Sequence, residues 1–239
     1  MKLLTALTAA AAFTCVAAVN SVAAVNSTAG RAAACMRAGG ATSVTIPTPS
    51  GGEYGAVQGT SASGVGFAID LFTSATQATT AEKAENSAQP NVLTTQANGG
   101  RTDVYLNPGF HSSSDVSRTM ASISRCIGPV ESFRGLPSAS RIAACLKAGG
   151  ATGVALPAAT GQEYAAVTGH AASGPAFAID LFYTALQTAA ADKLEAKARP
   201  GESITVANRG HTSIRINPGS LSSAALSQAR TAISRCVAA

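Results

Sequence analysis

The sequence contains no tryptophan, and its seven phenylalanines and four tyrosines bring aromatics to only 5% of 239 residues. An aromatic platform that stacks sugars or single-stranded bases is therefore not expected. Charge is scarce too, at 12% of residues with a formal net charge of +5. Hydrophobic residues nonetheless make up 46%, which excludes a disordered chain and, without long apolar runs past the N-terminus, a polytopic membrane protein. Alanine fills about a fifth of the positions, so any core must be assembled from scattered Val, Ile, Leu and Phe.

Histidine is equally sparse, with only His111, His170 and His211. There is no Cys-x-x-Cys or His-x-x-His spacing of the kind a zinc site uses, and Gly-x-Ser-x-Gly is absent. Gly64-Val65-Gly66 precedes an apolar strand instead of opening a helix, the wrong setting for a dinucleotide loop. No cofactor or metal is expected.

The N-terminus carries one basic residue, Lys2, followed by an uncharged stretch from Leu3 to Ala18 built of Leu, Ala, Thr, Phe and Val. This is the pattern of a signal peptide over 1–24, with small residues placing cleavage after Ala18 or after Ala24. An uncleaved N-terminal anchor is the alternative. Removing the leader also removes Cys15 and leaves Cys35, Cys126, Cys145 and Cys236, an even set suited to an oxidising compartment. Asn26-Ser27-Thr28 is a glycosylation sequon at the start of the mature chain.

Repetition dominates the rest. Residues 31–127 align with 141–237 at a constant offset of 110 without a gap, about half of the positions being identical. The matches include rare residue types: GFAIDLF at 66–72 against AFAIDLF at 176–182, and Ile-Ser-Arg-Cys at 123–126 and 233–236. The sequence reads as a tandem duplication of one domain, with a linker over 128–140 broken by Gly128-Pro129, Gly135 and Pro137. A domain that once stood alone would pair its own cysteines, so Cys35–Cys126 and Cys145–Cys236 are expected.

Within each copy an Ala-rich helix ends in Gly-Gly, and Val44 and Ile46 alternate with Thr as a strand does. Residues 53–59 read either as loop or as a short strand, and Phe67, Ile69 and Leu71 form the most apolar strand. A helix over 74–88 stops before Pro90, two strands follow, and a last helix carries the second cysteine. The order α-β-β-α-β-β-α predicts an α+β fold, each copy a small two-layer α/β sandwich with a mainly antiparallel sheet and one disulfide.

Four features are candidates for function. Asp70 and Asp180 sit mid-strand, where a half-buried carboxylate needs a partner, either a structural one such as Arg125 and Arg235 or a ligand. Glu53-Tyr54 and Glu163-Tyr164 recur in a Gly-rich approach to that strand, as rim-capping or recognition residues. Ser63 and Ser173 recur in a polar turn, whereas Ser61 becomes Ala171. Finally, residues 31–127 balance six basic against six acidic side chains, while 141–237 carry nine against five. Lys197, Arg199, Arg209 and an outward-pointing Arg215 then define a candidate face for a polyanion.

These readings converge on an exported, non-catalytic binding or structural protein of the cell envelope or extracellular space. Its partner would be an anionic envelope polymer, a lipid head group or a protein, not nucleic acid. The alternatives are a secreted hydrolase using Asp180 with His170 or His211 where the copies meet, and a protease inhibitor presenting the 48–66 loop.

Overall fold

The computed structural model describes residues 28–89, 91–133 and 136–238. The leader expected at 1–24, Cys15 and the start of the sequon lie outside the described residues.

The first half runs α1 (Thr28–Ala38), β1 (Thr42–Thr45), β2 (Gly55–Thr60), β3 (Gly66–Leu71), α2 (Ala75–Ala88), β4 (Leu93–Ala97), β5 (Thr102–Asn107) and α3 (Ser113–Ile127). The second half follows the same order: α4 (Ala139–Ala148), β6 (Thr152–Ala155), β7 (Glu163–His170), β8 (Ala176–Phe182), α5 (Ala185–Ala198), β9 (Ser203–Ala207), β10 (Thr212–Ile216) and α6 (Ser223–Ala238). The protein is α+β with two antiparallel five-stranded sheets, ordered β1-β2-β3-β5-β4 and β6-β7-β8-β10-β9.

Of the two readings open for 53–59, the strand is the one found: β2, Gly55–Thr60, lies inside the sheet and pairs Val57 with Ile69 and Gln58 with Ala68. Gly59 makes it fit, because a Cβ there would stand 3.1 Å from the Thr42 carbonyl oxygen and the Val44 Cα. The two layers become three. Alternation along β3 sends Phe67, Ile69 and Leu71 into a core with Ala32, Ala33 and Met36 of α1 and Val116 and Ile123 of α3. The opposite face, carrying Asp70, lies under α2, whose Glu82 receives hydrogen bonds from Thr94 and Gln96 of β4. The second sheet repeats this arrangement, with Phe177, Ile179 and Leu181 toward α4 and α6 and Asp180 toward α5.

Local signals explain the helix ends. Ser74 and Thr184 cap α2 and α5 by accepting from Gln77 N and Gln187 N, and Ser112 forms a reciprocal capping box with Asp115 on α3. The disulfides are Cys35–Cys126 and Cys145–Cys236, each with Cα atoms 5.5 Å apart, tying α1 to α3 and α4 to α6. Among the described residues, no helix is long and apolar enough to cross a membrane.

The halves touch along a seam. Tyr183 packs edge-on against Phe133, ring centres 5.8 Å apart, and lies 4.9 Å from the ring of Tyr164. Tyr164 Oη donates to the Pro137 carbonyl at 2.6 Å, while Gln162 and Gln187 reach the carbonyls of Phe110 and His111. The contact is head to tail. The matching first-half tyrosine, Tyr54, is 54% exposed.

Candidate functional site

The sheet face beneath α5 holds a cavity of about 380 Å³. Its floor is formed by Ala166 of β7, Asp180 of β8 and Ser213 and Arg215 of β10, and its roof by Asp192 and Glu195 of α5. Register places Ala166 opposite Asp180 and Asp180 opposite Ser213, so these small and polar residues form one row across three strands. The loop over 157–163 closes one side.

Arg215 is the hub. Its Nη2 donates to Asp180 Oδ2 at 2.5 Å, and Nη1 lies 3.0 Å from Glu195 Oε2. Arg215 Nε is enclosed and has no acceptor among the described residues. Burial pushes the Asp180 carboxyl above the ordinary aspartate value, and the Arg215 charge opposes it without cancelling it. Ser213 Oγ donates to Asp192 Oδ1. Burial also raises Glu163, but the amides of Thr160 and Gly161 donate to Oε1 at 2.7 and 3.0 Å and hold it below the usual value. Its role is to fix the loop.

The matching face of the first half has no such cation. Position 105 is Tyr, where the second half has Arg215. Tyr105 Oη donates to Asp103 Oδ2 at 3.3 Å, and Gln96 bridges Asp103 Oδ1 and Glu82 Oε2. Asp70 is left among carboxylates. Burial, then the charges of Glu53, Asp103 and Glu85, pushes its carboxyl up to about 7.

The structure revises several sequence expectations. Asp180 pairs with Arg215, not with Arg235, and among the described residues no arginine, Arg125 included, pairs with Asp70. Arg215 does not point outward, because the sheet has helices on both faces and a mid-strand side chain opposite the apolar core enters the α5 interface. Arg199 sits 3.6 Å from both Glu195 and Glu202, which compensates part of its charge. Lys197 and Arg209 are exposed. Arg209 stands on the turn between β9 and β10 with φ of 56°. Enclosed Arg215 thus does not share an exposed face with the other three.

Two of the three histidines, His170 and His211, lie against main-chain carbonyls. His170 Nδ1 lies 3.4 Å from the Gly174 carbonyl and His211 Nδ1 3.3 Å from the Phe182 carbonyl, while Asp180 is engaged by Arg215. Ser61 and Ser63 each contact Thr119 Oγ1 at 2.8 Å, and Ser173 donates to the Ala225 carbonyl, so the polar turn ties each sheet to its last helix. Within the 48–66 stretch, Glu53 accepts from the amides of Ser50 and Gly51 and pins the loop, while 55–60 is sheet interior. No group of three or more His, Cys, Asp or Glu residues among the described residues could hold a metal ion. No family model, curated protein or solved structure matches the chain.

Proposed function

We propose that this is an exported, non-catalytic binding protein of the cell envelope or extracellular space, built from two copies of one domain, in which the second copy binds and the first supports it. The observation that carries the proposal is the asymmetry between halves that share one frame. Under α2, Glu82, Gln96, Asp103 and Tyr105 bond to one another and are buried. Under α5 the same face is a cavity of about 380 Å³ with a guanidinium at its centre. A small polar group carrying hydrogen-bond donors would find there the carboxylates of Glu163, Asp180, Asp192 and Glu195 grouped around one guanidinium. Export is supported by the leader pattern and by two disulfides that tie each half's first helix to its last.

The test is retention of the labelled protein on isolated envelope material in a sedimentation assay. Ala191→Trp fills the second cavity from α5, and Ala81→Trp is the matching change on α2. Retention lost with Ala191→Trp and kept with Ala81→Trp is the expected result. Equal loss in both variants, or no retention of the unaltered protein, overturns the assignment. N-terminal sequencing of the exported form should begin at Val19 or Val25.

A further inference from the structure

The two sheets end differently, and the difference defines a second site. In the first sheet the outer strand β4 is covered by the chain leaving α3. Val130 forms an antiparallel bridge with Ala97, Glu131 N donates to the Gln96 carbonyl at 2.8 Å, and Thr95 Oγ1 donates to the Glu131 carbonyl at 2.7 Å. Val130 and Phe133 pack on the first core. All five residues of β4 are buried as a result.

In the second sheet β9 holds the same outer place. Among the described residues no strand or bridge pairs with its outer side, Thr205 is exposed, and Val206 is 51% exposed. Where β9 runs into Asn208 lies a groove of about 550 Å³, lined by Leu136, Ile142, Cys145, Asn208, Cys236 and Val237, with Arg141 as its one charged side chain. Cys236 and Val237 match Cys126 and Ile127, which pack with Val130 on the first core. The groove is thus the place that a Val130-like side chain fills in the first half. Arg141 is exposed, and two further cations stand at the ends of β9: Arg209 follows it at the turn, and Arg230 Nη2 donates to Ser203 Oγ at 2.6 Å.

We propose that β9 and this groove accept an extended acidic peptide segment of a partner protein, which adds a sixth, antiparallel strand, seats an aliphatic side chain in the groove and directs a carboxylate at Arg141. The proposal names the partner class for the binding half assigned above, at a place distinct from the cavity under α5. Gln96 gives the geometry. Its carbonyl faces outward to receive Glu131 N, so at the matching residue, Val206, both N–H and C=O face the open edge, since the two groups of one strand residue point to the same side.

The test uses a fluorescein-labelled, end-capped peptide of sequence GPVESF, the segment that covers β4, titrated against the full chain by anisotropy. Binding should weaken as salt rises. Val206→Pro removes one outward N–H and leaves the ladder to β10 intact, and should weaken binding at least about tenfold. Ala238→Trp, filling the groove from the end of α6, should do the same. Arg141→Glu should cost about fivefold with this peptide and restore binding to a peptide carrying Lys in place of Glu. A peptide that does not bind, or binding unchanged in Val206→Pro and Ala238→Trp alike, overturns the proposal while leaving the envelope assay above unaffected. A concentration-dependent dimer lost in Val206→Pro overturns it in favour of β9 pairing with a second copy of the chain.

Discussion

Arg215 reaches diagonally to Asp180 on the adjacent strand, Nη2 to Oδ2 at 2.5 Å, with side chains only 11% and 17% exposed. A pair so enclosed is costly to break from one side, because the remaining charge loses both water and partner. Arg215→Met should therefore destabilise the protein by about 3 kcal/mol in urea unfolding. Combining it with Asp180→Leu should recover most of that loss, as the uncompensated carboxylate goes too. A double variant no more stable than the single one would mean that Glu195, not Asp180, is the partner that matters.

Asp70 predicts a pH dependence. Its carboxyl is raised from 3.8 to about 7 by burial and by Glu53, Asp103 and Glu85. Between those values the folded protein holds a proton that the unfolded chain has released, so stability falls as pH rises through that window. Asp70→Asn should thus be stabilising at pH 8, with the gain shrinking toward pH 4. Thermal unfolding midpoints of both proteins across that range check it. A constant difference would show that Asp70 is not the titrating group.

How far these features were legible in the sequence depends on what each one rests on. The disulfides followed from cysteine positions, and the helices from caps and stops such as Ser74 before Ala75 and Pro90 after Ala88, because those are local signals. β2 was ambiguous because GAVQGT lacks alternation, and only its place between β1 and β3 makes it a strand. The direction of Arg215 was misread for a related reason. Two flanking isoleucines do place it opposite the core, but whether that face meets water or a helix depends on where α5 lies, and α5 has almost no apolar stripe to announce it. The cover over β4 was hidden altogether, since Val130-Glu131-Ser132 reads as linker.

The disulfides should carry a large part of each half's stability. Each joins residues 91 apart, a closure that in the chain-entropy model contributes about 4–5 kcal/mol. Replacing Cys145 and Cys236 by Ser should lower the urea midpoint strongly, and non-reducing peptide mapping of the unaltered protein should recover only the 35–126 and 145–236 linkages.

Tyr183 should decide whether the halves unfold together. It belongs to the second half by sequence, yet it is 8% exposed and packs into the first core, between Phe133 and Tyr164. Tyr183→Ala removes the aromatic centre of the seam, at a cost of about 3–5 kcal/mol if the gap does not collapse. Tyr164→Phe removes only the hydrogen bond to Pro137, worth about 1 kcal/mol. In calorimetry the unaltered protein and Tyr164→Phe should each show one transition. Tyr183→Ala should split into two, because each half keeps its own sheet, helices and disulfide while losing the contact that couples them. A single, merely shifted transition in Tyr183→Ala would place the coupling elsewhere along the seam, at Gln162 and Gln187, whose amides reach the carbonyls of Phe110 and His111.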